Sequence, residues 1–372
     1  MKTTIERSAL LKALNHVQSV VERRNTIPIL SNVLLEADNG SLGLTATDLE
    51  IEMRERVEAD VAQAGAITAP AHMLYDIVRK LPDGAQVELS TDETGGRLLL
   101  ISGKSSFALQ TLPREDFPAM AQDEMPVAFA LLGGDLRRLI EKTRFAISQE
   151  ETRYYLNGIY LHALEDDGQA LLRAVATDGH RLARVQMAQP VGAADMPAII
   201  VPRKTVNEVQ KLLEEEAGEV SLQVSETKIN FAFSNIVLTS KLIDGKFPDY
   251  TRVIPLNNDK VLAVDAKSFA QSVDRVSAIS SEKSRAVKLS LEGGRLSLSV
   301  SNPDSGSASD ELSVSYQSEA MDIGFNARYL MDITGQLDGE SATFELADSG
   351  SPTIVRDGED TNALYVLMPM CV

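Results

Sequence analysis

The chain has 372 residues, 44% of them apolar, and a formal net charge of -18; this length exceeds that of one typical domain and predicts two or three. With a single cysteine, Cys371, the sequence excludes a disulfide framework and a cysteine-based zinc site. No run approaches the roughly 18 apolar residues of a membrane span, and the charged N-terminal residues lack the apolar segment of a secretory signal, so we expect a cytoplasmic protein without membrane association.

Predicted elements of the same order recur three times along the chain. The first unit has a helical pattern in IERSALLKALNHVQSVVERR, followed by the strand patterns SNVLLEA and SLGLTATDLEIEMRERV. The second has FALLGGDLRRLIEKTRFAIS before GIYLHAL and ALLRAVATDGHRLARVQM, and the third has LAVDAKSFAQSVDRVSAISS before AVKLSLE and RLSLSVSN. Within each unit the order of strand, helix and strands occurs twice. This repetition predicts three α+β domains, at residues 1–125, 126–257 and 258–372.

Basic residues are concentrated in the predicted helices. These six segments together hold more Lys and Arg than Asp and Glu, although the whole chain has 36 basic and 54 acidic residues. In the first helix, Leu10, Leu14 and Val17 form an apolar stripe, and Lys12 lies off it. One such helix is typical of ordinary solvated surface. Three repeated domains, however, would bring equivalent basic faces together around a polyanion, while the acidic remainder repels it elsewhere.

Motifs of nucleotide-binding, metal-binding and hydrolytic proteins are incomplete in this sequence. SGKSS at 102–106 resembles the end of a phosphate-binding loop, but Leu98 stands where that loop needs glycine, and a strand pattern follows. The four histidines lie in different predicted elements without metal-ligand spacing. No G-x-S-x-G nucleophile motif occurs. We therefore expect no metal and no cofactor.

Asp178 and His180 in VATDGHRLARV form the one candidate pair for general acid–base catalysis. The first unit has ATDLEIEMRERV at the corresponding place, with Asp48 matching Asp178, so the aspartate belongs to the repeated fold as a turn or cap residue. Two hypotheses remain open: a hydrolase or transferase that uses the pair, and a non-catalytic binding protein. A monomeric protein that reads base sequence is a third, disfavoured because no segment shows a recognition helix or one concentrated basic patch.

The segments RYYLNG, VATDGHRLA, TSKLIDGKFPDYTRVIP and YVLMPM occur together with TIPILSNVLLE, IVPRKTV and IGFNARYLMDI. In these segments, and along its whole length, the sequence resembles the bacterial DNA polymerase III beta subunits, the DNA sliding clamps. The resemblance implies three clamp domains, each a doubled strand-helix-strands motif, forming a crescent that dimerises head to tail into a ring around duplex DNA. It also implies a protein without catalytic activity or cofactor, which holds the replicative polymerase on DNA and confers processivity.

The partners follow from the same resemblance. They are double-stranded DNA bound without sequence preference, a second copy of the chain, the catalytic subunit of the replicative polymerase and the clamp loader. Other polymerases, DNA ligase and mismatch-repair proteins would bind through short peptide motifs. A ring is retained by its topology, so weak contacts with phosphates and water suffice and permit sliding.

DNA contacts and interface residues are assigned partly by the resemblance and partly by helix position. The resemblance places DNA contacts at Arg24, Tyr154 and Tyr155. Position on the predicted helices adds basic residues to this surface, namely Arg137, Arg138, Lys142, Arg203, Lys204, Lys267 and Arg275. Phe107 and Ile279 match apolar positions at the interface between the two copies.

The resemblance further implies a hydrophobic peptide pocket between the second and third domains. The matching residues are Leu156, Thr177, Gly179, His180, Arg181, Leu182, Pro248, Arg252, Val253, Asn326, Tyr329, Val366, Leu367, Met368, Pro369 and Met370. Apolar side chains would form the groove, methionines would adapt it to varied ligands, and Arg252 and His180 would supply polar groups at its rim. Ser284 stands where the family often has an aromatic residue and Cys371 where a basic residue is common, so peptide preference is expected to differ.

Overall fold

The computed structural model describes residues 1–121, 124–215, 218–280 and 285–372. In these ranges there are six α-helices: α1 (Arg7–Gln18), α2 (Ala71–Lys80), α3 (Gly133–Arg144), α4 (Arg203–Glu215), α5 (Ala266–Ser277) and α6 (Ala327–Thr334). Short 3-10 segments occur at Pro28–Ser31, Arg114–Asp116, Glu151–Leu156 and Tyr250–Val253. Among the described residues, no helix combines the length and apolar character that a membrane crossing requires.

Twenty-six strands account for the rest of the regular structure in the described ranges. In chain order they are β1 (Lys2–Glu6), β2 (Asn32–Asp38), β3 (Ser41–Thr47), β4 (Ile51–Glu58), β5 (Asp60–Gln63), β6 (Gly65–Pro70), β7 (Gln86–Thr91), β8 (Arg97–Ser102), β9 (Ser105–Gln110), β10 (Val127–Leu132), β11 (Gly158–Asp166), β12 (Gln169–Thr177), β13 (Arg181–Ala188), β14 (Ile199–Pro202), β15 (Glu219–Val224), β16 (Lys228–Ala232), β17 (Ile236–Lys241), β18 (Lys260–Asp265), β19 (Ala286–Glu292), β20 (Arg295–Asn302), β21 (Gly306–Ser313), β22 (Ser315–Tyr316), β23 (Met321–Asn326), β24 (Ser341–Leu346), β25 (Thr353–Asp357) and β26 (Ala363–Leu367).

The order of these elements confirms the threefold α+β repeat. Each repeat has an opening strand, a helix, three strands, a closing strand, a second helix and three more strands. The opening strands are β1, β10 and β18, and the closing strands are β6, β14 and β23. Only the short strands β5 and β22 are additions to this scheme within the described residues.

Strand pairing follows the repeat as well. In every repeat the opening strand pairs with the last three strands, as in β1-β7-β8-β9, and the closing strand pairs with the first three, as in β4-β3-β2-β6. Neighbouring repeats are joined by the antiparallel pairs β17 with β4 and β26 with β13. The result is an eight-stranded sheet, β10-β15-β16-β17-β4-β3-β2-β6, and a nine-stranded sheet, β14-β11-β12-β13-β26-β25-β24-β18-β22. A five-stranded sheet, β5-β1-β7-β8-β9, and a four-stranded sheet, β21-β20-β19-β23, complete the fold.

The chain forms two compact units. The first comprises residues 1–136, 190–197 and 204–242 and contains the eight-stranded sheet; the second comprises 137–189, 198–203 and 243–372 and contains the nine-stranded sheet. Each of these sheets takes strands from both sides of one predicted domain boundary. The boundaries at 125/126 and 257/258 therefore stay a prediction from the sequence repeat.

Apolar periodicity explains why these segments fold as they do. On α1, Leu10, Leu14 and Val17 recur at helical spacing and are fully buried against β3 and β4. In β7, Val87 and Leu89 alternate with more exposed residues, the period of a strand with one face in the core. The core therefore lies between the helices and one face of each sheet, which leaves the other face available for a site.

Candidate functional site

A cavity of about 280 Å³ opens on the nine-stranded sheet of the second unit. Apolar groups dominate its lining, which consists of Arg153, Tyr155, Leu156, Thr177, Gly179, His180, Arg181, Leu182, Pro248, Asp249, Tyr250, Val253, Val366 and Met368. Ten of these are pocket residues that the sequence predicted. The volume is near the lower end of the roughly 300–1,000 Å³ typical of ligand pockets. It suits one or two anchoring side chains of a peptide.

The base of the cavity is the junction between β13 and β26. Leu182 and Val366 lie directly opposite each other across this junction, and Met368 continues the same face. Because side chains alternate along a strand, Leu367 faces the other way, and it is completely buried in the core. Its place in the motif YVLMPM is thus a packing position.

The turn between β12 and β13 shapes one edge of the cavity. The Asp178 carboxylate accepts hydrogen bonds from the backbone N–H groups of His180, at 2.9 Å, and Arg181, at 3.1 Å. In the first repeat, Asp48 accepts the equivalent bonds from Glu50 and Ile51 at 2.9 and 2.8 Å. The interpretation of this aspartate as a turn residue of the repeated fold is therefore confirmed.

Gly179 suits the backbone of that turn and leaves room for Arg153. Its φ of 90° lies in the left-handed region, and a Cβ atom there would come within 2.6 Å of a guanidinium nitrogen of Arg153. His180 follows with an exposed side chain, and its carbonyl accepts a hydrogen bond from the Met368 backbone N–H at 2.9 Å. The rings of His180 and Tyr329 are stacked with centroids 6.4 Å apart. His180 thus connects the turn to β26 and to the rim.

Arg181 supports the pocket from within. Its guanidinium donates to Asp332 at 2.5 Å and to the Phe145 carbonyl at 2.7 Å. The same group lies 4.2 Å from the centroid of the Tyr329 ring and 5.2 Å from that of Phe145. These contacts fix α6 and the end of α3 against the cavity.

Six predicted pocket residues do not line the cavity. Leu367 is in the core, and Tyr329 contacts the lining residues His180 and Arg181 without lining the cavity itself. Asn326 caps α6 by accepting from the Arg328 backbone N–H at 2.9 Å. Of the remaining three, Arg252 and Met370 are exposed and Pro369 is partly buried; the Met370 N–H donates to the Gly324 carbonyl at 2.8 Å. Cys371 is exposed, and Ser284 lies outside the described residues.

The sequence analysis missed three lining residues, Arg153, Asp249 and Tyr250, and assigned a fourth, Tyr155, to DNA. All four adjoin predicted residues in RYYLNG and FPDYTRV. Reading those motifs as continuous segments would have found them.

The predicted DNA contacts fall into two groups. Five basic side chains have a carboxylate partner: Arg137 with Glu141 at 2.7 Å, Arg138 with Asp360 at 2.5 Å, Lys142 with Asp338 at 2.7 Å, Lys204 with Asp48 at 2.5 Å and Arg275 with Asp310 at 2.6 Å. Lys142 is also buried, and its ammonium donates to the Gln336 carbonyl at 2.6 Å, which gives it a structural role. Tyr154 is half exposed on its 3-10 segment.

Arg24, Arg203 and Lys267 form the second group. All three are exposed, and within the described ranges none has a carboxylate closer than 4 Å. Their charge is therefore available to an anionic ligand without the loss of an intramolecular ion pair.

The two predicted interface residues occupy different units. Phe107 is half-buried on β9, the edge strand of the five-stranded sheet in the first unit. Ile279 is partly buried in the second unit beyond the end of α5, and its carbonyl accepts from the Asn302 side chain at 2.9 Å.

Within the described parts of the chain, no group of three or more His, Cys, Asp or Glu side chains is arranged to hold a metal ion. The site has no charge-relay geometry either: Asp178 binds the backbone N–H of His180 and the guanidinium of Arg181 at 3.1 Å. The arrangement provides a docking surface, with apolar contacts at its base and polar groups at its edge.

Comparison with known proteins identifies the family. The chain matches the N-terminal, central and C-terminal domains of the DNA polymerase III beta subunit at residues 1–121, 131–249 and 251–371. It is 55% identical to the beta sliding clamp of Caulobacter vibrioides and 40% identical to that of Escherichia coli, with 100% of each chain covered in both cases.

Solved structures agree over the full length. A Bartonella birtlesii sliding clamp bound to griselimycin superposes with a TM-score of 0.97 at 53% identity, and a Pseudomonas aeruginosa clamp bound to griselimycin with 0.95 at 41%, each with 100% coverage of both chains. The chain therefore belongs to the DNA polymerase III beta subunit family, the sliding clamps, which are non-catalytic ring dimers that tether the replicative polymerase to DNA.

Proposed function

We propose that the cavity on the nine-stranded sheet is the site at which this clamp binds the peptide motifs of its partners. The observation that carries the proposal is the convergence of ten predicted residues from four separate segments around one mainly apolar cavity. Leu182 and Val366 offer a dry base for an apolar anchor, and the exposed His180 and Arg252 offer polarity at the rim. Two relatives, the Bartonella and Pseudomonas clamps, bind griselimycin, which supports a ligand-binding role for a site in this family.

A charge at the base of the cavity tests this proposal. Val366→Asp should weaken the binding of a fluorescein-labelled peptide from the C-terminal end of the replicative polymerase by about 100-fold or more, because an anchor side chain would then desolvate a carboxylate. Fluorescence anisotropy measures the affinity, and griselimycin should compete with the peptide. The matched control is Val191→Asp, the same substitution at a side chain that is 97% exposed in the first unit. Equal affinity of both variants would contradict the assignment.

For the ring, we propose that β9 of one copy pairs with β21 of the next. The two observed junctions each join the last strand of one repeat to the third strand of the preceding repeat, as β17 does with β4 and β26 with β13. Within the described strands, β9 is the remaining last strand and β21 the remaining third strand, and both are sheet edges. Pairing them would repeat the same junction between copies and close a head-to-tail dimer.

Light scattering and one substitution test the dimer. We expect a mass of about twice 40.4 kDa at micromolar concentration. Phe107→Asp should shift the protein toward monomer, since it places a charge on the edge strand β9. A wild-type mass near 40.4 kDa would contradict the closed ring.

DNA retention by this clamp should depend on topology more than on contacts. We assign the first contacts to Arg24, Arg203 and Lys267, together with Tyr154, because these side chains are exposed. Arg137, Arg138, Lys204 and Arg275 would have to exchange a carboxylate for a phosphate. Clamps loaded on closed circular DNA should stay bound and be released when the circle is linearised. Equal loss from circular and linear DNA would contradict the proposal.

The pocket would serve several partners in turn. We propose that the clamp loader, further polymerases, DNA ligase and mismatch-repair proteins bind there in competition with the replicative polymerase, and that all of this takes place in the cytoplasm. A single apolar cavity of about 280 Å³ holds one motif at a time, which supports competition. Displacement of the labelled polymerase peptide by each partner's motif would test the proposal one partner at a time.

A further inference from the structure

Tyr250 is a lining residue that two buried side chains outside the cavity hold in place. It belongs to the segment 242–259 that connects β17 to β18 and forms one wall of the cavity. Its phenol oxygen lies 3.0 Å from a guanidinium nitrogen of Arg173 and 3.0 Å from Nε2 of His162. Arg173 and His162 themselves do not line the cavity. They belong to the adjacent strands β12 and β11, where they are direct partners across the sheet.

The directions of these hydrogen bonds follow from the groups involved. A guanidinium can only donate, so the phenol oxygen accepts from Arg173, and the single phenol proton is left for Nε2 of His162. A neutral imidazole is required for this, and burial together with the positive charge of Arg173 lowers the pKa of His162 to about 4. At neutral pH, both hydrogen bonds, from Arg173 to Tyr250 and from Tyr250 to His162, therefore have a donor and an acceptor.

Arg173 is itself held in place. It is buried, and its guanidinium donates to Asp166 at 2.6 Å and to Gln186 at 2.7 Å. Next to it, the rings of Tyr160 and Phe247 are parallel, with centroids 4.7 Å apart and an interplanar angle of 3°. The connecting segment is therefore fixed to the sheet by an aromatic stack at Phe247 and by the phenol of Tyr250.

The equivalent junction of the first unit lacks all three groups. Pro70 and Pro202 occupy equivalent positions, and counting strand register from them matches His162 with Glu36. The cross-strand partner of His162 is Arg173, and that of Glu36 is Gly43, so Arg173 corresponds to Gly43. The sequences FPAM and FPDY match Met120 with Tyr250. A network needed only for folding of the repeat would be expected in both junctions, whereas this one accompanies the apolar cavity.

We infer that Arg173 and His162 are positioning residues of the peptide pocket, which hold Tyr250, and with it the connecting wall, in the conformation that receives the peptide. This inference rests on the proposed function of the cavity. If only a fraction of the molecules had the wall in the binding conformation, the apparent peptide affinity would fall by that fraction. A wall that is fixed before binding avoids this loss.

Affinity for the labelled polymerase peptide tests the inference in the full-length protein. Tyr250→Phe and His162→Ala should each weaken binding by about 3- to 10-fold, chiefly through faster dissociation. Because both changes break the same connection, the double variant should bind no more weakly than Tyr250→Phe alone. His162→Gln should restore affinity to within about twofold of the wild type, since its amide oxygen can accept from the phenol.

A matched control separates positioning from stability. Tyr316→Phe removes another buried phenol, one that donates to the Glu319 carbonyl at 2.6 Å on the four-residue segment between β22 and β23; neither residue lines the cavity. It should lower the midpoint of thermal unfolding about as much as Tyr250→Phe without changing peptide affinity. Wild-type affinity in Tyr250→Phe and His162→Ala, alongside loss of binding in Val366→Asp, would overturn the inference and leave the proposed function intact. Failure of the wild type to bind the peptide would instead overturn the proposed function.

Discussion

The two sheet junctions share one backbone and differ in their side chains. Counted by register, Leu182 of β13 corresponds to Glu52 of β4, and Val366 of β26 corresponds to Thr239 of β17. In the second unit these positions form the apolar base of the cavity. In the first, the buried Glu52 carboxylate pairs with Arg54 at 2.7 Å and accepts the backbone N–H of Met120 in the connecting segment at 3.2 Å.

Under the proposed function, this difference would confine docking to one junction of a repeated fold. Cavities of about 390 and 360 Å³ also occur at the first junction, so concavity alone does not distinguish it. What differs is chemistry: charged and amide side chains contribute to these cavities, and a peptide anchor would have to displace their hydrogen-bond partners without replacing them. We therefore expect peptide binding to depend on a few outward-facing positions of an otherwise common scaffold.

The largest effect is expected when the residue at the base of one junction is exchanged for that of the other. Leu182→Glu places the residue of the first junction into the second, at a position that is almost completely buried and belongs to a mainly apolar cavity. We expect loss of peptide binding by about 100-fold or more and a decrease in the free energy of unfolding on the order of 3–5 kcal/mol. Peptide titration and urea denaturation measure the two effects. The reverse change, Glu52→Leu, should not create peptide binding, because Thr239 and the polar neighbours remain; binding at the first junction would refute the role given to these neighbours.

A second exchange concerns the turn that precedes each junction strand. Gly179 and Leu49 correspond, and both have positive φ, 90° and 78°. Gly179→Ala should cost about 1 kcal/mol of stability through backbone strain and should also displace the Arg153 guanidinium from the pocket, which would weaken the peptide several-fold. Leu49→Gly should stabilise the first unit or leave it unchanged without affecting the peptide. If Gly179→Ala bound the peptide with wild-type affinity, the close approach of Arg153 to residue 179 would not contribute to peptide binding.

The two units should also respond to pH in opposite directions. In the first, both ring nitrogens of His16 face carboxylates, Glu55 at 2.7 Å and Glu215 at 3.0 Å. Burial lowers the pKa of His16, but the two carboxylates outweigh burial, and the net effect is a raised pKa. The folded state then binds the proton more tightly, and this stabilisation, present below pH 6.5, is lost as pH rises through the folded pKa.

In the second unit the sign is reversed, because the pKa of His162 is lowered to about 4. The unfolded chain takes up the proton first as pH falls below about 6.5, so stability decreases from there to about pH 4, by at most about 3 kcal/mol. Amide hydrogen exchange of β4 and β12 as a function of pH measures each unit separately. His16→Gln and His162→Gln should each flatten the response of their own unit only, and parallel pH profiles in both units would contradict this assignment.

The repeat and most of the cavity lining were predictable from the sequence, whereas the direction of individual side chains was not. The repeat was accessible because VATD and TATD occur at equivalent places and mark the same turn. Leu367 was placed in the pocket with Val366 and Met368 because a continuous motif does not reveal which residues of a strand face outward.

Long-range ion pairs could not be predicted from the sequence either. Lys142 has the spacing of an exposed helical residue, yet it is 6% exposed because Asp338 and the Gln336 carbonyl, almost 200 positions later, receive its ammonium. Similarly, nothing near Tyr250 in the sequence indicates Arg173, 77 positions earlier. Such partners are set by strand order, which the repeat alone does not determine.

The smallest expected effect is at the rim. The side chain of Arg252 is 83% exposed, and its pair with Asp249 at 2.9 Å lies in solvent, so salt and water screen it. Arg252→Ala should therefore change peptide affinity by less than about threefold, and it should do so through the association rate at low salt, since a rim charge mainly steers encounter. The effect should disappear at high ionic strength, whereas that of Leu182→Glu should persist. Stopped-flow fluorescence in both salt conditions measures the effect. If Arg252→Ala lost as much peptide affinity as Leu182→Glu, polar recognition at the rim, and not the apolar base, would distinguish this junction from the other.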